Sequence, residues 1–92
     1  AAAYSRDNPR IFHNLAIAYW QQDKVDSSVN SFLRAIELAP DNPEFIQNLV
    51  QLLMQINRWS EAHTYAKKLQ AILPGNSQVT AIISQIESRL QP

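Results

Sequence analysis

Cysteine is absent from the 92 residues, so no disulfide framework and no thiolate metal site can hold the chain together. The absence says little about compartment, since cytosolic and exported domains can both lack cysteine. Glycine occurs once, at Gly75, which leaves no material for a glycine-rich phosphate loop. Neither sign of charge dominates: eight basic and eight acidic residues cancel, with no run of like charges. A protein that tracks phosphates needs a basic face, so nucleic acid is excluded as the expected partner. No stretch approaches the ~18–20 consecutive apolar residues of a membrane span. Nothing at the N-terminus reads as a signal peptide, because Ala1–Ala3 gives way at once to Ser5, Arg6 and Asp7. An opening without methionine is what a processed product or a piece of a longer chain would show.

What the chain does have is apolar material and punctuation. Apolar residues make up 46% of it, enough for a packed core and too many for intrinsic disorder. Ninety-two residues allow one compact domain near the low end of sizes that fold without staples. The five prolines carry a period: Pro9 and Pro43 lie 34 residues apart, as do Pro40 and Pro74. Asp7-Asn8-Pro9 recurs as Asp41-Asn42-Pro43, and the same shift pairs Asn14 with Asn48, Leu15 with Leu49, Gln21 with Gln55 and Asn42 with Asn76. Asn-Pro starts a helix for a physical reason. The Asn side chain accepts from an orphan backbone N–H, and Pro at the first helical position has no N–H to leave unpaired.

Helices are therefore predicted from Pro9 and from Pro43. Phe12, Leu15, Ala16 and Tyr19 mark one face of the first, and Ile46, Leu49, Val50 and Leu53 mark one face of its counterpart. Asp23-Lys24 and Asn57-Arg58 interrupt these runs. Second helices follow, one from about Asp26 to Leu38 with Val29, Phe32, Leu33 and Ile36 on its apolar side, the other from Trp59 to Ile72. Pro40 stops the former, and Pro74-Gly75-Asn76 supplies turn chemistry after the latter. A fifth helix, Ser77 to about Leu90, carries Val79, Ile82, Ile83, Ile86 and Leu90 opposite polar Gln78, Gln85 and Ser88. The expectation is all-α, with five helices and no strand.

A 34-residue helix–turn–helix unit resembles the tetratricopeptide repeat, whose pattern runs Trp-x2-Leu-Gly-x2-Tyr, Ala-x3-Phe, then Pro. Here the first unit reads Phe12-x2-Leu15-Ala16-x2-Tyr19, Ser28-x3-Phe32, Pro40. The second reads Ile46-x2-Leu49-Val50-x2-Leu53, Ala62-x3-Ala66, Pro74. Small residues (Ala16, Ser28, Ala35, Ala62, Ala66) fall where paired helices must approach closely. Val50 and Leu69 depart from the family's small residues. The resemblance implies an α-solenoid of antiparallel helix pairs in a right-handed superhelical stack. Its frame predicts repeats over 9–42 and 43–76 and a capping helix over 77–92, with 1–8 an extension or the end of a preceding repeat. Two repeats fall short of the ~3 usually needed for stability. An incomplete array or a homo-oligomer is therefore expected.

The resemblance also implies a function: binding a protein or peptide in a concave groove lined by the first helix of each pair. On this sequence that lining comprises Arg10, His13, Ile17, Trp20 and Gln21 from the first repeat and Glu44, Gln47, Asn48, Gln51, Met54 and Gln55 from the second. Gln78, Ala81 and Gln85 of the closing helix extend it. Such a lining is neutral and glutamine-rich, suited to an uncharged or amphipathic segment, with Trp20 and Met54 as apolar anchors. The family's clamp for a C-terminal carboxylate needs cations and two asparagines, at positions occupied here by His13, Ile17, Asn48, Gln78 and Ile82. Only Asn48 fits, which excludes that ligand class.

Each of these residues has a plainer reading. Trp20 can simply cover a neighbouring helix, Met54 can be packing, and Asn14 and Asn48 can satisfy local hydrogen bonds. A lone His13 is seldom a metal ligand or a pH sensor, His63 reads as solvent-facing, and Trp59 as packing in a turn. Asp41, Glu44 and Glu61 lie near helix N-termini, where the dipole favours them. No nucleophile, base and orienting group share a sequence context that suggests a triad, and no clustered His, Cys or carboxylates suggest a metal or other cofactor. The expectation is a non-enzymatic interaction module without a cofactor. Its alternatives are a self-association element, or an adaptor segment of a larger protein whose activity lies elsewhere.

Overall fold

The computed structural model describes residues 8–90. Five helices follow one another: α1 (Pro9–Gln21), α2 (Val25–Leu38), α3 (Pro43–Gln55), α4 (Trp59–Ile72) and α5 (Ser77–Leu90). No strand occurs among the described residues. The segment 1–7, read from the sequence as an extension or the end of a preceding repeat, lies outside them.

The helix starts follow the asparagines. Asn8 Oδ1 accepts from Arg10 N at 2.9 Å. Asn42 Oδ1 accepts from Glu44 N at 3.0 Å and Phe45 N at 3.4 Å. Asn76 Oδ1 does the same for Gln78 N at 2.9 Å and Val79 N at 3.1 Å. One residue type at a fixed interval thus satisfies orphan donors at three helix starts. The period also fixes how the first helix of each pair ends. Asp23 (φ 65) and Asn57 (φ 64), again 34 positions apart, sit in the left-handed region. Their neighbours Lys24 and Arg58 donate backbone N–H groups back to Tyr19 and Leu53, each at 2.8 Å. Each end is a Schellman closure, which satisfies the last carbonyls and turns the chain sharply toward the next helix. Asp and Asn tolerate this conformation better than most residues, which is why these two polar pairs break the apolar pattern. After α4, Gly75 takes φ 79 behind Pro74, the requirement of a type II turn.

The chain divides into two compact units, the first ending at Phe45 and the second beginning at Ile46, so the division falls inside α3. In the first unit α1 packs on α2. Ala16, Ser28 and Ala35 have no exposure, and Phe32 fills the space beside them. The small-residue seam has a polar stitch: Ser28 Oγ donates to the Ala16 carbonyl at 2.7 Å, in the buried interior. In the second unit α4 packs on α5, with Ala62, Ala66, Leu69, Val79, Ile83 and Ile86 buried. The predicted apolar face of α3 is buried throughout, at Ile46, Leu49, Val50 and Leu53, and Phe45 and Leu52 join it.

Three details differ from the sequence reading. The second helix begins one residue earlier, at Val25. Leu15, expected on the inner face of α1, is 41% exposed, because the positions of α1 that turn inward are His13 and Ala16. His63 is half-buried rather than solvent-facing, with Nε2 3.0 Å from Glu87 Oε2, a contact that ties α4 to α5.

Candidate binding surface

The predicted binding residues of α1 follow i, i+4, i+7, i+8 spacing and so share one side of the helix. Their exposure changes along it. His13 is 2% exposed, Ile17 and Trp20 are half-buried, and Gln21 is open to solvent. Trp20 stands edge-on to Phe32, ring centroids 6.2 Å apart at 83°, so part of the indole covers the hairpin and part remains presentable. The reading of Trp20 as cover for a neighbouring helix has this contact behind it.

His13 is the residue whose surroundings the sequence hid. Its ring lies 4.7 Å from Phe45 and 5.7 Å from Phe32, inside an aromatic pocket made by three helices. At that depth it offers a ligand almost no surface, and it supports the face from beneath. Its Nε2 is 3.7 Å from Glu44 Oε2. Glu44 in turn accepts two hydrogen bonds from the Arg10 guanidinium, at 3.2 and 3.3 Å, and that guanidinium lies 5.1 Å from the centre of the Phe45 ring. Arg10 and Glu44 occupy the same place in successive 34-residue units. The electrostatics are those of a half-open cluster. Burial lowers the His13 pKa below its usual value, with Glu44 pulling the other way and Arg10 reinforcing the drop. The Arg10 hydrogen bonds hold the Glu44 carboxyl below the ordinary carboxylate range.

On α3, Gln51 and Gln55 are exposed, while Gln47, Asn48 and Met54 are half-buried. On α5, Gln78, Ala81 and Gln85 are exposed. Exposed glutamines thus occur on α3 and on the closing helix α5. Among the predicted lining residues of α1 the one exposed amide is Gln21, at its C-terminal end.

Sequence reasoning missed the arginine–aromatic pairs. Besides Arg10 over Phe45, Arg34 stands 5.7 Å from the centre of Phe12, and Arg89 stands 5.4 Å from that of Trp59. Each is worth about 0.5–1 kcal/mol at an exposed site. Their spacing from the rings is non-local, so no sequence window could have displayed them. No group of three or more His, Cys, Asp or Glu that could hold a metal ion occurs among the described residues. No described helix is long and apolar enough to cross a membrane.

Comparison with known proteins agrees with the period and the hairpins. One family model, described as YpiA-like, C-terminal tetratricopeptide repeats, matches residues 9–76. Among curated proteins none matches the chain.

Proposed function

The chain belongs to the tetratricopeptide-repeat family, in its YpiA-like C-terminal group, and from that premise we propose that it holds a partner polypeptide against the first helices of its repeats. Repeats of this family generally mediate protein–protein interactions and are typically non-catalytic. The ligand is an uncharged or amphipathic peptide or helix. The observation that supports this choice is the exposed amide pair Gln51 and Gln55 flanking half-buried Met54 on α3. Amides can donate to and accept from a neutral backbone, and a thioether adapts to varied apolar side chains. Trp20 with Ile17 offers a similar apolar anchor on α1, beside exposed Gln21. Lysine and arginine are missing from these positions, so a free carboxylate terminus finds little to hold it.

The test is alanine substitution at Gln51 and at Trp20, followed by quantitative pull-down of interacting proteins. Gln51→Ala is the cleaner variant, because its side chain is exposed and its loss leaves the helix intact. Trp20→Ala also removes the ring packed on Phe32, so its circular dichroism and unfolding midpoint must be recorded alongside. Partner recovery should fall about tenfold for a contact worth ~1.4 kcal/mol. Full recovery by both folded variants would place the ligand elsewhere.

A further inference from the structure

Phe32 has no exposure and makes two ring contacts with α1. His13 meets it with centroids 5.7 Å apart at 61°, and Trp20 meets it 6.2 Å away at 83°. His13 and Trp20 lie two helical turns apart on one face of α1, so a single phenylalanine of α2 bridges them. Charge enters this row of rings at its buried end. The charged groups that face His13 are Arg10 of its own helix and Glu44 at the start of α3, with Nε2 3.7 Å from Glu44 Oε2. From α2 it is Phe32 that reaches the imidazole. The charged side chains of that helix, Asp26, Arg34 and Glu37, are exposed, with Arg34 over Phe12 and paired with Glu37.

A separation of 3.7 Å is too long for a hydrogen bond. A neutral imidazole in contact with Phe45 and Phe32 gains little by closing it. An imidazolium carries N–H donors on both nitrogens, and its charge-assisted bond to a carboxylate forms at ~2.8 Å. Proton uptake therefore pulls the ring about 1 Å toward Glu44. An interior packed as densely as an organic crystal passes such a displacement to its neighbours. We infer that His13 is a positioning residue for the ligand surface: its neutral ring wedges Phe32 against Trp20, and protonation draws that wedge toward Glu44 and unseats the indole. Acid thus withdraws the apolar anchor of α1 while the hairpin stays folded. The consequence for a partner rests on the ligand surface proposed above, whereas the seating of Trp20 is readable with no partner present.

Trp59→Phe leaves Trp20 as the one indole of the chain and keeps an aromatic ring beneath Arg89. In that background, acrylamide quenching of Trp20 is followed from about pH 7.5 down through the protonation of His13, itself titrated by proton NMR. Circular dichroism is recorded on the same samples. Quenching should rise along the His13 titration curve while the helix signal holds. His13→Phe should abolish the rise, and His13→Gln repeats the comparison should the larger ring fail to fold. Phe32→Leu should leave the histidine titrating but uncouple the indole from it. Quenching that stays level through the titration, or changes only as the helix signal is lost, overturns the switch. So does a rise that persists without His13. For polypeptides whose capture at neutral pH depends on Trp20, recovery should fall about fivefold on protonation in the parent and stay level in His13→Phe. An equal fall in both overturns the link to binding. If Trp20→Ala leaves all capture unchanged, the ligand lies elsewhere, and the quenching series still decides whether His13 controls the indole.

Discussion

His13 shows how a single residue changes meaning once its neighbours are known. The sequence displays a histidine on a helix face, and the structure puts it between two phenylalanines from other helices, near a carboxylate. Because burial disfavours its charged form, the unfolded chain binds a proton at higher pH than the folded one. The stabilisation is therefore whole above the ordinary value of 6.5 and is lost as pH falls below it toward the lowered folded value. Glu44 acts in a separate window, since its folded pKa is lowered from 4.5 and its contribution fades only below that. The urea midpoint should decline between pH 7.5 and 5.5, and His13→Phe should flatten the decline. Glu44→Gln removes the one group that favours the imidazolium, so it should steepen the same decline. A wild-type midpoint that is level across this range would contradict the buried neutral imidazole. Ser28 teaches a similar lesson. The family pattern marked it as a small residue, but its hydroxyl bond to the Ala16 carbonyl depends on a helix twelve positions away and so could not be read in sequence.

Elements were more legible than residues, and the reason is local. Caps, Schellman closures and proline stops act within a few positions, so Asn-Pro and the polar breaks at Asp23 and Asn57 write the helix boundaries directly into the chain. Exposure of a helix face depends on what lies against it. That is why the exposure of Leu15 is not legible in the sequence, although the bounds of α1 are. The third capping asparagine was partly legible: the 34-residue shift pairs Asn76 with Asn42, but no proline follows it, and its neighbours read as a turn. In the structure it receives two backbone N–H groups and opens α5. Asn76→Ala should cost about 1 kcal/mol in urea unfolding, and Asn76→Asp should retain most of the stability because its carboxylate also suits a helix N-terminus. Equal stability of the alanine variant and the parent would show that the turn holds α5 without its cap.

At the scale of the whole molecule, the repeat frame does not distribute the core evenly. The second unit buries Ile46, Leu49, Val50, Leu52, Leu53, Leu69, Val79, Ile83 and Ile86. The first unit buries Phe32, Phe45, Val29 and Ile36, and fills the rest of its interior with alanines, a serine and a histidine. Each fully buried aliphatic side chain contributes about 1.5–3 kcal/mol, whereas buried polar groups gain little beyond their hydrogen bonds. Repeat proteins add stability unit by unit, and regions with fewer buried apolar contacts open first. Amide hydrogen exchange should therefore find α1 and α2 less protected than α4 and α5 at neutral pH. The gap should widen at pH 5.5 once exchange rates are corrected for intrinsic pH dependence, because His13 lies in the first unit alone. Protection of α1 and α2 equal to that of α4 and α5 at both pH values would mean that the chain opens only as a whole, despite its uneven core. The same measurement on His13→Phe separates the two causes: aromatic burial should raise protection of α1 and α2 at both pH values and remove the widening at acid pH.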